Sequence, residues 1–283
     1  HRDLLSFPTR RSSDLRLTLT LTIFLMISTV SASNMFDFFN SDSANLENTD
    51  EKFIIGFNSE FPPFGYVADD KNYTGFDIEL GKEVCKRNNW TFIPLPIIDW
   101  NTKELELNSD EVDCIWSEFT INGREDNYTW SKPYFNNTPV VIVKSNSNIN
   151  SFNDLKGKSI EIEDGTSVLN KIKENSTLNS NFNKITEVDN YNTALIDLES
   201  GVCDAIIADY GIANYIVVEK CPDSKILNET LPNEHYGIGF KKGNTELRDQ
   251  VQKTLDEMFK DGTVDKIAQN YSKYHLPERV IHP

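Results

Sequence analysis

The sequence predicts an α/β fold divided into two lobes, and three observations support this fold class. Short apolar runs alternate with helix-like stretches along most of the 283 residues, a pattern typical of parallel sheets covered by helices. Hydrophobic residues make up 38% of the chain and aromatic residues 11%, enough for a sizeable core. The segment at 132–144 looks like an exit from one lobe and that at 235–240 like a return to it, so the roughly 100 residues between them predict a second lobe.

The predicted elements follow in chain order. Apolar runs predict strands at 52–58, 91–94, 112–117, 139–144, 158–163, 205–208 and 236–240. Helical patterns predict helices at 74–88, 101–108, 168–175, 192–200, 211–219 and 245–260. A Thr74-x-x-Asp77 sequence resembles a capping box, so we expect the first helix to open there.

These elements define the expected domain organisation. Residues 52–136 together with 238–274 are assigned to the first lobe and residues 137–237 to the second, followed by a tail at 275–283. A polar stretch at 34–51 predicts a flexible leader. In α/β sheets, ligands bind outside the carboxyl ends of the strands, so we expect a site in the cleft between the lobes.

Residues 1–33 have the layout of a secretory signal peptide. An uncharged, largely apolar run at 17–30 follows Arg10, Arg11 and Arg16 and precedes three small residues. A membrane-spanning helix needs about 20 apolar residues, so a retained anchor is the weaker alternative. No Cys follows the run to accept a lipid, and we expect a secreted protein, periplasmic or extracellular. Residues 6–15 resemble a translated sequencing adapter and are interpreted as an artefact preceding the signal peptide.

Charge and cysteine content narrow the possible partners. The net charge is −16, from 28 basic and 44 acidic residues, which argues against nucleic acid because phosphates are bound through Lys and Arg. A small or cationic partner fits better. Four cysteines permit up to two disulfides in three connectivities, and buried free thiols are equally compatible with the sequence. They are Cys85, Cys114, Cys203 and Cys221.

Two turns contain residue types suited to binding an anion. Thr120 and Arg124 follow a predicted strand that ends near Ser117, and an Arg side chain matches a carboxylate through two hydrogen bonds. The alternative is a surface Arg paired with a neighbouring acidic residue. In the second lobe, Thr166 and Ser167 open a predicted helix, where backbone N–H groups attract negative charge. The alternative there is a helix cap without a ligand.

Other residues suggest a cationic and an apolar subsite. Asp209 ends an apolar strand, where a carboxylate is costly without a cationic partner; it can serve a ligand ammonium, cap the next helix, or do both. Aromatic side chains near strand ends predict a pocket with flat apolar walls, with core packing as the alternative. They are Phe61, Phe64, Trp100 and Trp116. Together these features describe a receptor for a zwitterion such as an α-amino acid.

Several blocks of the sequence then show a family resemblance. FPPFGY, TGFDIELGKEV, VDCIWSEFTINGRE, WSKPYF, LKGK, DGTS, CDAIIADY and a C-terminal helical block follow one another over residues 53–274. In order and spacing they resemble the extracellular solute-binding proteins of polar amino acid ABC transporters, the family 3 solute-binding proteins. The resemblance implies a type II periplasmic-binding-protein fold, with two parallel-type sheets, two hinge crossovers and closure on the ligand.

The resemblance also implies roles for individual residues. Arg124 is expected to hold the ligand carboxylate with Thr120 and Ser167, and Asp209 to bind its ammonium. The residues expected around the ligand side chain and backbone are Phe61, Trp100, Ser117 and Glu118. Two positions depart from the family pattern: the loop from Thr120 to Arg124 is one residue short, and Glu118 stands where Gly, Ser or Asn is commoner. We hypothesise that Glu118, with Glu60 and Asn58 nearby, selects a basic or hydrogen-bonding side chain.

The implied function is capture of a free polar or basic L-amino acid by a monomer that delivers it to a membrane ABC permease, without a metal or organic cofactor and without catalysis. An alternative is a dehydratase resembling cyclohexadienyl dehydratase, for which only His235 lies where a general acid is needed. Another is an amino-acid-sensing receptor domain. No apolar run of channel-helix length follows Val30, so a complete glutamate-gated channel does not fit.

Overall fold

The computed structural model describes residues 51–283, apart from the side chains at positions 177 and 178. The predicted signal peptide, the adapter-like segment and nearly all of the predicted leader lie outside the described residues. Glu51–Pro283 packs as one unit, and within it the chain builds two five-stranded sheets.

The strands form the two five-stranded sheets and two smaller sheets, one of two strands and one of three. They are β1 (Lys52–Phe57), β2 (Glu60–Phe61), β3 (Gly65–Val67), β4 (Tyr73–Thr74), β5 (Thr91–Pro96), β6 (Cys114–Ile115), β7 (Thr129–Trp130), β8 (Phe135–Asn137), β9 (Val140–Lys144), β10 (Ser159–Glu163), β11 (Lys184–Val188), β12 (Ala205–Ala208), β13 (Ser224–Thr230), β14 (Glu234–Tyr236) and β15 (Gly239–Phe240).

Helices cover the sheets. They are α1 (Phe76–Asn88), α2 (Lys103–Asn108), α3 (Ser167–Glu174), α4 (Ser176–Asn179), α5 (Tyr191–Ser200), α6 (Tyr210–Tyr215), α7 (Thr245–Lys260) and α8 (Thr263–Gln269). A π-helical segment, Ile216–Lys220, continues α6, so the predicted helix at 211–219 is present but changes its hydrogen-bonding pattern part-way.

Both sheets have a parallel centre with antiparallel strands beside it. The first has the order β5-β1-β6-β15-β7, and the second β11-β10-β12-β9-β13. β1 is parallel to β5 and β6, and β10 is parallel to β11 and β12. β15 and β9 run antiparallel to their neighbours. They directly follow the two passages between the sheets, which reverses their direction relative to the parallel strands.

The two passages lie side by side. β8 leads from the first sheet to the second, β14 leads back, and the two pair antiparallel with Glu234 opposite Asn137 and Tyr236 opposite Phe135. The predicted lobe boundaries, at 136–137 and 237–238, fall in or directly beside this pair. A two-strand connection of this kind is a hinge about which two lobes can move.

The predicted start of the first helix is wrong. Thr74 belongs to β4, and Gly75 occupies the N-cap position with φ +127°, a conformation that favours glycine. A side chain on Gly75 would also collide with the Phe64 carbonyl, which lies 2.1 Å from an ideal Cβ position. Asp77, the other half of the expected capping box, is fully buried instead.

All four cysteines lie among the described residues, and each is buried and free. Burial raises the pKa of Cys85 and of Cys203 to about 12, so these thiols are poor nucleophiles. Of the two arrangements left open by the sequence, the structure has free thiols. No helix in residues 51–283 is long and apolar enough to cross a membrane.

Candidate functional site

A cavity lies between the two sheets, and the chain reaches it mainly where strands end. Asn58 follows β1, Ser117 follows β6, Glu163 ends β10 and Asp209 follows β12, as expected for a ligand site in an α/β fold. Its lining consists of Asn58, Phe61, Trp100, Ser117, Glu118, Phe119, Thr120, Arg124, Glu163, Gly165, Thr166, Ser167 and Asp209. The free space is about 30 Å³, room for about two water molecules.

The two lobes touch directly around this cavity. Arg124 Nη2 donates to the Gly165 carbonyl at 3.0 Å, and Asn101 Nδ2 donates to Asp164 Oδ2 at 2.9 Å. Phe61 of the first lobe packs edge-on against Tyr191 of the second, with ring centroids 5.6 Å apart. The lobes are therefore closed on each other, and a molecule larger than water enters only if they separate or side chains withdraw.

Arg124 brings an uncompensated positive charge to the cavity. Its guanidinium donates to the carbonyls of Thr120 and Gly165, at 3.3 and 3.0 Å, and lies 5.1 Å from the Phe119 ring centroid. No carboxylate among the described residues lies within ion-pair distance of it, and the predicted alternative of a surface pair with Glu125 or Asp126 does not form. Burial lowers the pKa of Arg124, yet a guanidinium remains charged. The group is placed to receive an anion.

Asp209 brings a buried carboxylate to the second-lobe wall. Its oxygens accept hydrogen bonds from Asn137 Nδ2 at 2.7 Å and from the Tyr236 hydroxyl at 2.8 Å. It also occupies the N-cap position of α6, without a side-chain capping bond. Burial, followed by the charge of Glu234, raises the pKa of Asp209 to about 7. A ligand cation would favour its ionised form.

The hydroxyls of Thr120 and Ser167 both donate to one buried carboxylate, Glu234. Thr120 Oγ1 lies 3.0 Å from Glu234 Oε2, and Ser167 Oγ lies 2.7 Å from the same oxygen. Lys171 Nζ completes the cluster at 2.6 Å from Glu234 Oε1. Sequence reasoning missed Glu234, because its place depends on the pairing of β14 with β8. Thr120 and Ser167 line the cavity as predicted, but their hydroxyl protons are directed to Glu234.

Thr166 serves mainly as the cap of α3. Its hydroxyl donates to the Glu163 carbonyl at 2.9 Å and accepts from Leu169 N at 3.4 Å. The simple helix-cap alternative is therefore realised at Thr166, although the residue also lines the cavity.

Glu118 is held in an unusual backbone conformation. Its φ is +39°, a left-handed value that costs about 1–3 kcal/mol for a residue other than glycine. Asp77 stabilises it: Asp77 Oδ2 accepts from the Glu118 N–H at 2.7 Å, and Asp77 Oδ1 accepts from the Tyr134 hydroxyl at 2.8 Å. Burial raises the pKa of Asp77 to about 7 and that of Glu118 well above its ordinary value.

Glu163 is a second buried carboxyl group that sequence reasoning missed. It is 3% exposed, and Oε1 accepts from Asn58 Nδ2 across the cavity at 3.0 Å. Burial raises its pKa to about 8. The signal in the sequence was the run Ser159–Glu163 (SIEIE), in which two carboxylates alternate with isoleucines inside a buried strand.

The predicted aromatic residues separate into two groups. Phe61 and Trp100 line the cavity, and Phe119, which was not predicted, packs edge-on against Trp100 with centroids 6.0 Å apart. Phe64 and Trp116 do not line it. Phe64 packs against Phe76, Phe135 and Tyr236, and Trp116 packs against Tyr134. Both are fully buried. Their aromatic neighbours belong to the core, so the core-packing alternative is realised at these two positions.

His235 is exposed and does not line the cavity. Within residues 51–283, no group of three or more His, Cys, Asp or Glu is arranged to hold a metal ion.

Residues 53–274 match the family model of bacterial extracellular solute-binding proteins, family 3. The chain belongs to this family. This family 3 protein is 30% identical over 241 residues to the "Probable histidine-binding protein" of Neisseria gonorrhoeae, with 83% of the chain and 87% of the relative covered.

Solved structures resemble this family 3 protein over most of its length. An ancestral arginine-binding protein bound to arginine matches with a TM-score of 0.72 at 32% identity, covering 79% of this chain and 99% of that one. A substrate-binding protein of an ABC uptake transporter from Streptococcus pneumoniae, with bound histidine, matches with a TM-score of 0.72 at 29% identity, covering 78% and 92%. The predicted family and two-lobed fold are confirmed.

Proposed function

We propose that this family 3 protein captures a free L-amino acid between its lobes and delivers it to an ABC-type amino acid importer. The observation that carries the proposal is the placement of Arg124, a cation without a carboxylate partner, in the same small cavity as the buried carboxylate of Asp209. Two opposite charges at fixed positions suit the α-carboxylate and α-ammonium of one amino acid. The histidine- and arginine-binding relatives support the same class of ligand.

Binding in this scheme requires opening and closure. The lobes separate at the β8–β14 connection, the amino acid places its carboxylate on Arg124 and its ammonium on Asp209, and closure rebuilds the interlobe contacts around it. Because the ligand contacts both lobes, it favours the closed state. A permease that recognises the closed state then receives mainly loaded protein. In this scheme the protein acts as a monomer and is secreted with its signal peptide removed.

A thermal-shift screen tests this function. Protein unfolded, washed free of bound solutes and refolded is heated with each of the twenty L-amino acids, ornithine and cystine. A ligand that binds only the folded chain raises the melting temperature, so we expect at least one L-amino acid to do so. Its decarboxylated amine and its N-acetyl derivative each lack one of the two charges and should have little effect. A melting temperature unmoved by every amino acid would contradict the proposal.

A further inference from the structure

Two carboxyl oxygens at the cavity lack partners. Glu118 Oε2 and Glu163 Oε2 are both buried and accept no hydrogen bond within the described residues, although each residue lines the cavity. The other oxygen of each group is engaged, Glu118 Oε1 by the Ser117 hydroxyl at 2.7 Å and Glu163 Oε1 by Asn58 at 3.0 Å. An unsatisfied buried acceptor is costly, so a hydrogen-bond donor supplied by a ligand would stabilise both groups.

The charges of the cavity indicate what kind of donor this is. Its lining carries one cation, Arg124, and three acidic groups, Glu118, Glu163 and Asp209. The α-carboxylate and α-ammonium of an amino acid account for Arg124 and Asp209, which leaves Glu118 and Glu163 facing the side chain. A neutral donor would satisfy only their hydrogen bonds, whereas a cation would also stabilise their ionised forms.

The two groups belong to different lobes. Glu118 follows β6 of the first sheet, and Glu163 ends β10 of the second. Two residues connect them: Ser117 Oγ donates to Glu118 Oε1 and accepts from the Asn58 N–H at 3.0 Å, and Asn58 Nδ2 donates to Glu163 Oε1 at 3.0 Å. The aromatic rings of Phe61 and Trp100 line the same cavity, and such rings favour a cation.

We propose that Glu118 and Glu163 form a subsite that selects amino acids with a cationic side chain and joins the lobes through it. The inference rests on the proposed function and specifies its substrate class, with arginine, lysine and ornithine as candidates. The strained backbone of Glu118, held by the hydrogen bond to Asp77, fixes one wall of this subsite. The bond from Asn58 fixes the other.

Protonation couples to this subsite. The acidic groups that raise the pKa of Glu118 are Asp77, Glu163 and Asp209, and those that raise the pKa of Glu163 are Asp209, Glu60 and Asp164. Burial, the largest cause, and these charges favour the protonated form of both carboxyl groups in the empty cavity, and they raise the pKa of Glu163 to about 8. A cationic side chain favours the ionised form, so its binding releases protons, whereas a neutral side chain of the same shape releases few.

Titration calorimetry on the full chain tests the subsite with matched ligand pairs, arginine against citrulline and lysine against 6-hydroxynorleucine. We expect the cationic member of at least one pair to bind more than about tenfold more tightly. Titrations at about pH 7 in phosphate and in Tris, whose ionisation enthalpies differ, should show proton release for that ligand. Glu118→Gln and Glu163→Gln should each reduce the preference by about tenfold, and Glu111→Gln, which is exposed and outside the cavity lining, should leave it unchanged.

The possible outcomes separate the subsite from the proposed function. Equal affinity for both members of each pair, or a preference that survives in both Gln variants, would overturn the subsite while leaving amino acid binding in place. Tight binding of glutamate would overturn it as well. Binding of no amino acid by the wild-type chain would overturn the proposed function, and the inference with it. Because two variants on different lobes are used, misfolding of one leaves the other as the test.

Discussion

Asn101 of the first lobe donates a hydrogen bond from Nδ2 to Asp164 Oδ2 of the second lobe, at 2.9 Å. Neither residue lines the cavity, so the bond contributes to lobe closure without contacting the proposed ligand. It therefore offers a way to change the closed state separately from the ligand contacts.

Asn101→Ala is expected to weaken amino acid binding by about two- to tenfold, because one exposed hydrogen bond contributes about 0.5–1.5 kcal/mol. The preference among amino acids should not change, since every ligand depends on the same closure. Calorimetry on the variant and on Asn148→Ala, an exposed Asn of the second lobe, measures the difference. A changed order of preference would mean that Asn101 acts on the ligand itself.

Asp209→Asn is expected to weaken binding of an amino acid by about ten- to a hundredfold, the range for loss of one charge-assisted contact. The decisive comparison is with the desamino analogue of the same ligand, which lacks the ammonium. Wild-type protein should discriminate strongly between the two, and the variant should discriminate weakly. Asp189→Asn, exposed on the same lobe, is the control. Unchanged discrimination in Asp209→Asn would place the ammonium elsewhere.

Lys171→Met is expected to destabilise the fold by about 2 kcal/mol, because it leaves the buried Glu234 carboxylate without its cation; the value is below that of a fully buried pair since the Lys171 side chain is 40% exposed. For a domain of this size the melting temperature should fall by about 4–8 °C.

The matched control for that change lies on the same helix. Lys173 pairs with Glu187 at the surface, with side chains 47% and 42% exposed, and Lys173→Met should cost less than about 1 kcal/mol. Adding Glu234→Gln to Lys171→Met should recover part of the loss, since the uncompensated charge is then gone. Equal effects of the two Lys variants in thermal unfolding would show that the Lys171–Glu234 pair contributes no more to stability than the surface pair does.

The unliganded protein should lose stability as the pH rises from about 5.5 to 7.5. The folded-state pKa values of Asp77, Asp209 and Glu163 are raised to about 7, 7 and 8, above those of the unfolded chain. The stabilisation from such groups is complete below the unfolded pKa and is lost as the pH rises through the folded pKa. Each carboxyl that stays protonated contributes a slope of about 1.4 kcal/mol per pH unit.

Urea unfolding at several pH values measures that slope. Glu163→Gln should remove the contribution of one carboxyl group from the slope, and Glu111→Gln, which is exposed and outside the cavity lining, should not change the slope. Burial lowers the pKa of Lys103 to about 8. This shift makes the folded state more stable as the pH rises, but mainly above about pH 8. Stability that increases with pH between about 5.5 and 7.5 would contradict the assignment of protonated carboxyl groups.

The sequence predicted some cavity residues near strand ends, but not those placed by pairing between distant segments. Arg124 and Asp209 were found because strand endings and local charge are visible in single segments. The position of Glu234 follows from the pairing of β14 with β8, about 100 residues apart in the chain. No pattern in the neighbouring sequence predicts that position. The burial of the Asp77 side chain likewise depends on hydrogen bonds from Glu118 and Tyr134, which belong to separate segments.

Short elements were also difficult to predict. The strands at Glu60–Phe61, Gly65–Val67 and Tyr73–Thr74 contain two or three residues each, too few to show alternation. Phe64 and Trp116 show a related limit. An aromatic residue near a strand end can face the cavity or the core, and which one it faces depends on packing partners from other segments.

The most direct test of the account is calorimetric titration of ligand-free wild type and Arg124→Ala with the amino acid that gives the largest thermal shift. The wild type should bind one amino acid per chain. The variant should bind it at least about a hundredfold more weakly, because the ligand carboxylate loses the charged partner that we propose for it in a buried site. Arg87→Ala, whose side chain pairs with Glu83 and Asp261 and does not line the cavity, should bind as the wild type does. An Arg124→Ala variant that folds and binds the same amino acid with unchanged affinity would contradict the account.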